Sequence, residues 1–371
     1  MEKPDVIVIG AGIVGAACAH ALARAGRQVR VLDAHLPSAS AAGMGHLVVM
    51  DDNPAELTLS SHSLALWRSL APQMDTGCAY RGCGTLWLAA NAEEMHAAQE
   101  KQARLTAHGV ACHQLSTQAL AQAEPALRAG LAGALAVPGD GIVYAPNAAR
   151  WLLAQASAGR IQVEQAQVVA LEEDAVRLAD GRWLCAPQVL LANGIQATTL
   201  CPELPIRAKK GHLLMTDRYP HTVRHQLVEM GYVTSAHHSE EPSVAFNLQP
   251  RPTGQLFLGS SRQFDCADQA VEPAMLARML QRALTYMPGL ADLNAIRAWT
   301  GLRATTPDSL PLLGRHPWRK NLWLAVGHEG LGVTTATGSA QLLAALMTGS
   351  AAPFDANPYR AERFVQTLCH A

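Results

Sequence analysis

The stretch "DVIVIGAGIVGAACAHALARAGRQVRVLDA", residues 5–34, decides the fold of this chain. Its first four apolar residues after Asp5, Val-Ile-Val-Ile at 6–9, predict a strand buried on both faces of a parallel sheet. Three glycines follow with G-x-G-x-x-G spacing: Gly10, Gly12 and Gly15. The alanine-rich run behind them predicts a helix that ends at Gly26, and residues 28–32 predict a second strand.

This strand–turn–helix–strand pattern is typical of a dinucleotide-binding site. Gly10 permits the tight turn, Gly12 lets the backbone approach a pyrophosphate, and Gly15 lets the helix pack closely on the strand. The helix N-terminus favours negative charge. Asp33, at the end of the second strand, can accept hydrogen bonds from a ribose 2′-OH and would repel a 2′-phosphate.

The same stretch also imitates a signal peptide, because Lys3 precedes an apolar segment and Ala19-His20-Ala21 resembles a cleavage site. The glycine spacing and Asp33 would then be coincidence, so the nucleotide interpretation is preferred.

Length and composition bound the remaining possibilities. A chain of 371 residues exceeds the usual single core, so two domains are expected. With 49% hydrophobic residues, 16% charged residues and a net charge of −1, nothing indicates binding to nucleic acid or an anionic membrane. No other segment is apolar for about 18 residues, so no transmembrane segment is expected. The eight cysteines form no C-x-x-C pair, which argues against zinc and cluster sites and favours a reducing cytoplasm.

Element predictions follow along the chain. Helices are predicted at 57–71, around 93–104, from Pro146, at 272–287 and from Val333 to Met347. Strands are predicted at 83–90, in several segments of 161–194 with a hairpin at Asp180-Gly181, as short strands over 211–264 with a hairpin turn near 252–254, and at 322–327.

Two further features favour a flavin. The apolar strand 189–192 ends in Asn193-Gly194, a turn that flavoproteins often place beside the cofactor; a plain buried strand is the alternative. "GHEGLGV", residues 327–333, stands at the mouth of the last predicted helix. Such a helix N-terminus would stabilise the negative charge of a reduced flavin, although a plain glycine loop has the same sequence signature.

Motifs spread over the whole chain carry a family resemblance. They are "VIVIGAGIVG" at 6–15, "SASAAGMGHL" at 38–47, "VLLANG" at 189–194, "GQLFLGSS" at 254–261, "WTGLRATTPDSLPLLG" at 299–314 and "NLWLAVGHEGLGVTTATGSAQLLAALMTG" at 321–349. The chain resembles the D-amino-acid oxidase and glycine oxidase superfamily of FAD enzymes. "AAGMGHLVVMDDNP", residues 41–54, is similar to the flavin subunits of bacterial D-hydroxyproline dehydrogenases.

The resemblance implies an α/β fold with two domains. One is a Rossmann-type FAD-binding domain of the glutathione-reductase and D-amino-acid-oxidase kind, expected at 1–77, 146–211 and 301–371. The other is an α+β substrate domain with a mixed antiparallel sheet, expected at 78–145 and 212–300.

The resemblance also implies noncovalent FAD and a set of residues around it. The expected cofactor-binding residues are Gly10, Gly12, Ile13, Val14, Gly15, Asp33, Ala34, Ser40, Gly43, Met44, Gly45, His46, Val168, Ala192, Asn193, Gly194, Arg303, Gly327, His328, Gly330, Leu331, Gly332, Val333 and Thr334. No metal is expected, since His221 and His225 have no carboxylate motif between them.

The implied reaction is amine oxidation by hydride transfer from the substrate Cα to flavin N5. Arg303 matches the family position of the arginine that clamps the substrate carboxylate, for which a planar guanidinium is well suited. Glycine oxidases have a second arginine in the loop that here contains Glu329 and Gly330, so the substrate is expected to differ from glycine. His46 is a candidate for contact with flavin or substrate, with a pocket-wall histidine as the alternative. Tyr232 and Tyr286 are candidate substrate ligands, although a core or surface position is preferred for both.

The electron acceptor and the basic run "RAKKGH", residues 207–212, stay open. A solvated strand edge is the default for this run, and an anion or partner-docking site is the alternative. Related dehydrogenases pass electrons to subunits that carry a second flavin or an iron–sulfur centre. The alternatives are an oxidase that uses oxygen, a tRNA-modifying flavoprotein, which the near-neutral charge disfavours, and a nicotinamide protein that uses only the first βαβ unit.

Overall fold

The computed structural model describes residues 3–155, 159–231, 241–264, 266 and 268–364. Its strands, in chain order, are β1 (Val6–Ile9), β2 (Val29–Asp33), β3 (His46–Leu47), β4 (Thr85–Ala89), β5 (His113–Ser116), β6 (Gly133–Val137), β7 (Gly141–Ile142), β8 (Ile161–Gln165), β9 (Val168–Leu171), β10 (Ala175–Leu178), β11 (Trp183–Cys185), β12 (Gln188–Leu191), β13 (Arg207–Arg218), β14 (Gln226–Glu229), β15 (Ser243–Pro250), β16 (Gln255–Phe264), β17 (Ala295–Thr305), β18 (Leu312–Arg315) and β19 (Leu322–Val326).

The α-helices in these ranges are α1 (Ile13–Arg24), α2 (Ala39–Ala42), α3 (Pro54–Leu70), α4 (Ala92–Ala107), α5 (Thr117–Ala123), α6 (Ala145–Ala154), α7 (Ala197–Leu200), α8 (Pro273–Leu284) and α9 (Gly332–Thr348). Short 3-10 helices lie at Ala71–Gln73, Thr76–Cys78, Gly194–Gln196, Pro288–Asp292, Asn357–Tyr359 and Ala361–Phe364. Within the described ranges, no helix has the length and apolar character needed to cross a membrane.

The first sheet has six strands in the order β18-β19-β12-β1-β2-β8. All neighbours are parallel except β18 and β19, which pair antiparallel. Val6 and Val8 of β1 pack into the core under α1 and α9, whereas Ile7 and Ile9 pack into a second core on the opposite face. The predicted strand, buried on both faces, is therefore confirmed.

The second sheet has eight strands in the order β17-β13-β16-β15-β14-β4-β6-β5. Its pairs are antiparallel apart from β14 with β4. The outer face carries an apolar core packed against α8, in which Tyr286 stacks on Phe246 with ring centroids 4.9 Å apart. The inner face approaches the loops of the first sheet, where Trp299 Nε1 donates to the carbonyl of Ala42 at 2.9 Å.

β13, β15 and β16 are longer than predicted, with 12, 8 and 10 residues, whereas β14 has four. The long strands pair antiparallel with long neighbours, which provide hydrogen-bond partners along much of their length. The expected domain boundaries at 211 and 300 fall inside β13 and β17. The division into two domains stays a prediction, with the two sheets as its natural centres.

The basic run 207–212 is not a solvated strand edge, and that prediction was wrong. β13 lies between β17 and β16, and Lys209, Lys210 and His212 are buried. Lys210 Nζ, on the outer face, contacts Asp268 at 2.9 Å and Glu272 at 2.8 Å. Lys209, on the inner face, contacts Glu329 at 2.9 Å. Carboxylates of this chain thus pair with both lysines. The alternative of an anion or partner-docking site at this run stays a prediction.

The contact between α1 and β1 generates a stability prediction. A Cβ on Gly15 would lie 2.0 Å from the carbonyl oxygen of Gly10, a backbone atom that cannot yield without moving the helix. We expect Gly15→Ala to lower the free energy of unfolding by about 1–3 kcal/mol or more, the usual cost of overpacking. Urea unfolding of the FAD-loaded protein measures it.

Gly289→Ala is the matched control, because nothing lies within 4 Å of the place that its Cβ would take and its φ is not positive. Equal stability of the two alanine variants would contradict the close α1–β1 contact.

Candidate functional site

An open cleft runs along the carboxyl ends of β1, β2 and β12 and below the inner face of the eight-stranded sheet. Its volume is about 1480 Å³, including the open mouth. Most residues expected to bind the cofactor line it: Gly10, Gly12, Ile13, Val14, Asp33, Ala34, Ser40, Gly43, Met44, Gly45, His46, Val168, Ala192, Asn193, Gly194, Arg303, Gly327, His328, Gly330, Gly332 and Val333. Segments far apart in the sequence therefore meet at one site.

The glycine turn presents the start of α1 to this cleft. Gly12 is the N-cap and supplies no side-chain cap, so N–H groups of the first helical turn stay available to a ligand. Ser40 Oγ, from α2, accepts from Ile13 N at 2.9 Å. Asp33 accepts from Ala11 N at 2.5 Å and from His35 N at 2.7 Å, which joins the end of β2 to the glycine turn.

The loop before α9 forms the opposite end of the cleft. Glu329 N donates to the carbonyl of Ala304 at 2.9 Å, and this bond ties the loop to the end of β17. His328 is 7% exposed, and its Nε2 lies 3.2 Å from Ser339 Oγ inside α9. Leu331, the N-cap of α9, provides no side-chain cap, so a second helix N-terminus opens towards the cleft.

Arg303 lies on β17, directly above the backbone of β13. A Cβ on Gly211 would be 2.5 Å from Arg303 Nη1, so only glycine leaves room for the guanidinium there. Nη1 donates to the carbonyl of Ser261 at 3.1 Å. Among the described residues, no carboxylate lies within 4.0 Å of this guanidinium. A partly buried cation in a cleft with no internal counter-ion is suited to bind an anionic ligand.

Glu329 lies on the cleft wall near this arginine. In the sequence this position was of interest only because glycine oxidases have an arginine in the same loop. Burial alone would raise the pKa of Glu329, but Arg262, Lys209 and Arg303 together hold it well below its usual value. Its ion pair with Lys209 keeps the carboxylate occupied.

His46 lies on β3 and lines the cleft beside Met44. Its Nδ1 lies 2.5 Å from Gln226 Oε1, and its carbonyl accepts from Thr334 Oγ1 at 3.0 Å. Burial lowers the pKa of His46, and the charge of Arg251 lowers it further, while the polar side chains of Gln226 and Asn247 oppose them. The side chain is therefore a neutral imidazole at the cleft wall.

Some expected site residues do not line the cleft. Gly15 packs against Gly10, and Thr334 braces β3 from behind, while Leu331 faces the apolar core. Tyr232 lies outside the described residues. Tyr286 is a core residue whose hydroxyl contacts Arg282 at 3.3 Å, as preferred from the sequence.

Sequence reasoning missed the far end of the cleft. Ala166, Gln167, Ile195, Gln196 and Thr199 line it together with the expected Val168. These positions follow β8 and β12, which flank the glycine motif only after the parallel sheet has formed. No local motif marks them, so only the predicted order of strands could have indicated them.

Outside the cleft, Cys201, Glu203 and His316 bring three potential metal ligands together. Trp318 N donates to His316 Nδ1 at 3.3 Å, which leaves the imidazole proton on Nε2. Nε2 lies 3.0 Å from Glu203 Oε1, so this group is better described as a histidine–glutamate pair.

The cleft fits FAD in shape and chemistry. Two uncapped helix N-termini suit a pyrophosphate at one end and the electron-rich edge of a flavin at the other. Asp33, which lines the cleft, suits the ribose, and the apolar residues beyond β8 suit the adenine. The two helix N-termini, Asp33 and the apolar residues beyond β8 would hold the cofactor.

Comparisons with known proteins agree with this geometry. The family model described as "FAD dependent oxidoreductase" (DAO) matches residues 5–346. The chain is 27% identical over 387 residues to a glycine oxidase of Geobacillus kaustophilus, covering 98% of each chain. It is 26% identical over 385 residues to a subunit of the opine oxidase of Rhizobium meliloti, again covering 98% of each.

Solved structures share the fold. The crystal structure of glycine oxidase from Geobacillus kaustophilus superposes with a TM-score of 0.86 at 24% identity, covering 97% of this chain and 99% of that one. L-Proline dehydrogenase from P. horikoshii superposes with a TM-score of 0.89 at 21% identity, covering 99% of both.

The burial of His328 predicts a pH dependence of stability. Burial lowers the pKa of His328 to about 4, whereas an exposed histidine in the unfolded chain titrates near ~6.5. Between these values the unfolded chain binds a proton that the native chain does not. The free energy of unfolding therefore falls as the pH decreases through this window. The loss due to His328 reaches about 3 kcal/mol at the lower end of the window, and above pH ~6.5 there is no loss.

His328→Gln should flatten the pH dependence by about one proton in this window, measured by urea unfolding with FAD in constant excess. His96→Gln, at an exposed histidine on α4, is the control and should keep the wild-type slope. Equal slopes for wild type and His328→Gln would contradict the buried neutral imidazole.

Proposed function

This chain belongs to the FAD-dependent oxidoreductase (DAO) family, and we propose that it oxidises the C–N bond of a small D-amino or cyclic imino acid similar to D-hydroxyproline. The observation that carries this proposal is the Arg303 guanidinium, which lines the cleft and has no carboxylate within 4.0 Å among the described residues. A substrate carboxylate supplies the missing counter-ion. When bound, FAD supplies the hydride acceptor for the substrate Cα–H.

The residues of this chain supply orientation rather than strong acid or base. Arg303 binds the carboxylate through two parallel hydrogen bonds, which fixes the direction of the adjacent Cα. The neutral His46 is placed on the cleft wall to receive an N–H of the substrate. Loss of the Cα hydride gives an iminium, and loss of a proton from its nitrogen gives an imine, which is hydrolysed or persists as a cyclic imine.

The presence of Glu329 in the loop before α9 favours a substrate larger than glycine. The family resemblance implies a second arginine in this loop of glycine oxidases, whereas this chain has Glu329 there, paired with Lys209. One carboxylate clamp therefore suffices, and the rest of the substrate is recognised by polar groups such as His46 and Asn247. A hydroxylated or cyclic side chain offers such groups a partner.

We further propose that electrons leave through a partner protein that carries a second flavin or an iron–sulfur centre. One relative is named as a subunit of an opine oxidase, and the sequence of this chain contains no C-x-x-C cluster motif of its own. The alternative is direct use of oxygen, which the name of the glycine oxidase relative supports.

Anaerobic flavin reduction tests the substrate and the acceptor together. We expect cis-4-hydroxy-D-proline or a related D-imino acid to bleach the flavin band near ~450 nm, with slow recovery in air and fast recovery with a dye. Rapid recovery in air would establish the oxidase alternative. A bound flavin that no amino or imino acid bleaches would contradict the proposal.

Arg303→Lys belongs in the same experiment. Replacing a bidentate guanidinium by a point charge should raise the KM for the substrate about 10- to 100-fold, corresponding to ~1.5–3 kcal/mol of a charged hydrogen bond. Unchanged KM would exclude Arg303 as the carboxylate clamp.

The ion pair between Lys209 and Glu329 yields a second prediction. In Lys209→Met, Glu329 keeps only Arg262 and Arg303 as nearby cations, so Arg303 becomes its counter-ion and binds substrate less well. We expect the KM to rise about 10-fold, the equivalent of ~1.4 kcal/mol. The double variant Lys209→Met/Glu329→Gln should recover most of this loss, because the competing carboxylate is gone.

Lys210→Met is the matched control, because Lys210 is the adjacent buried lysine but contacts Asp268 and Glu272 on the outer face of the sheet. It should leave the KM unchanged. Failure of the double variant to recover would show that Lys209 acts in another way.

A further inference from the structure

A row of buried polar side chains lies behind His46 on the inner face of the eight-stranded sheet. Gln226 on β14 and Gln249 on β15 are completely buried, and Arg251, directly after β15, is 6% exposed. Buried polar groups are costly unless they are hydrogen-bonded, so the donors and acceptors in such a row must match. The direction of each hydrogen bond can therefore be deduced from groups that only donate or only accept.

The carbonyl of Gly141 fixes the orientation of Gln226. A backbone carbonyl only accepts, and it lies 2.7 Å from Gln226 Nε2, so the amide NH₂ must face it. Thr85 Oγ1 is 3.2 Å from the same nitrogen. Gln226 Oε1 therefore points the other way, to His46 Nδ1 at 2.5 Å. Because an amide oxygen only accepts, the proton of the neutral imidazole must lie on Nδ1.

Arg251 fixes the orientation of the Gln249 side-chain amide, here through a group that only donates. A guanidinium only donates, and Arg251 Nη1 lies 2.6 Å from Gln249 Oε1. Gln249 Nε2 is then a donor that lies 3.3 Å from His46 Nδ1 and 3.4 Å from Gln226 Oε1. Gln226 Oε1, at 2.5 Å, is the nearer partner of Nδ1, so Gln249 Nε2 donates to Gln226 Oε1 and Nδ1 keeps its proton. The amide orientations set by Gly141 and by Arg251 agree, and reversing either would oppose two donors or two acceptors.

This tautomer leaves a lone pair on His46 Nε2. Among the described residues, no hydrogen-bond donor to Nε2 is found, and His46 lines the cleft. A second acceptor lies close by: Asn247 Nδ2 donates to Ser260 Oγ at 3.2 Å, and its buried Oδ1 has no hydrogen bond of standard geometry among the described residues, although the Asn247 side chain raises the pKa of His46. That oxygen sits over Gly259 beside Met44, which also lines the cleft. This part of the site therefore offers two hydrogen-bond acceptors, His46 Nε2 and Asn247 Oδ1, to a ligand that can donate.

We propose that Gln226 is a positioning residue that holds the proton on His46 Nδ1, so that His46 Nε2 accepts a hydrogen bond from the substrate nitrogen. The inference rests on the proposed function, because it takes the donor to be the nitrogen of an amino or imino acid. Once the Cα hydride has left, the proton of the resulting iminium nitrogen passes to Nε2, giving the neutral imine and an imidazolium.

The charged and titratable groups around His46 keep this acceptor neutral. Arg251 faces it from the end of β15, and Arg303 and Glu329 line the same cleft. Asp140, in the turn before β7, and Cys83, before β4, flank Gln226; burial raises the pKa of Asp140 to about 7 and that of Cys83 to about 11. Among the described residues, Arg251 is the charged side chain that lowers the pKa of His46, so the imidazole is neutral when the substrate binds and before any proton reaches Nε2.

Nitrogen NMR of histidine-labelled, FAD-loaded protein tests the tautomer without relying on activity. His46→Asn assigns the signals by their disappearance. We expect the wild-type spectrum to show the proton on Nδ1, and Gln226→Met to give a substantial population with the proton on Nε2. Gln341→Met is the matched control, because Gln341 pairs with His62 Nε2 at 2.6 Å on the surface, and it should leave the His46 signals unchanged.

Flavin reduction under anaerobic conditions tests the consequence for substrate. Gln226→Met should slow reduction about 100-fold, because the substrate nitrogen loses the acceptor that aligns the adjacent Cα–H, with a smaller change in KM. Gln226→Glu places a carboxylate beside Nδ1 and stabilises the imidazolium, so the acid limb of the pH profile should move to higher pH by about one unit or more. Gln341→Met should keep the wild-type rate and profile.

The outcomes separate this inference from the proposed function. A wild-type proton on His46 Nε2, or a Gln226→Met variant with wild-type tautomer and rate, would overturn the role of Gln226 even if amino acids bleach the flavin. A flavin that no amino or imino acid bleaches would overturn the substrate nitrogen as donor. If Gln226→Met does not fold, the wild-type spectrum still decides, because it requires no variant.

Discussion

The close contact between the start of α1 and the end of β1 is the constraint on which the rest of the structure depends. Gly15 lies so near the Gly10 carbonyl that no side chain fits between helix and strand. The contact aims the N-terminus of α1 along the carboxyl edge of the sheet. The absence of a side chain at Gly10 also leaves room for the end of β12, since a Cβ on Gly10 would be 2.7 Å from the carbonyl oxygen of Ala192. The turn at Asn193 therefore meets the glycine loop.

A second constraint is the balance of charge where the two sheets meet. Lys209 and Arg303 are paired neighbours on β13 and β17, and the antiparallel register points both side chains to the inner face. Two adjacent buried cations repel each other unless an anion lies between or beside them. Glu329 provides that anion for Lys209, and among the described residues no carboxylate lies within 4.0 Å of Arg303. The register of the sheet thus determines which cation is available to a ligand.

Local sequence predicted the parts of this site that depend on neighbouring residues. The glycine turn, the Asn193-Gly194 turn and the loop before α9 each combine strand, glycine and helix signals within a few residues. The basic run at 207–212 was misread because its charges suggest solvent. Whether β13 is an edge or a central strand depends on pairing with residues 255–264 and 295–305, and the carboxylates that neutralise Lys209 and Lys210 lie more than 50 residues away in sequence.

The polar row behind His46 shows how backbone geometry can set chemistry at a distance. The carbonyl of Gly141 belongs to β7, which pairs with β3 and so fixes the height of His46 on the cleft wall. The same carbonyl orients the Gln226 amide, and that amide places the imidazole proton. A single short strand pair therefore controls both the position of the imidazole and the nitrogen at which it can accept a proton. Two amides that cannot titrate are well suited to this task, because the tautomer they impose does not change with pH, whereas a carboxylate in place of Gln226 would favour the imidazolium and remove the acceptor.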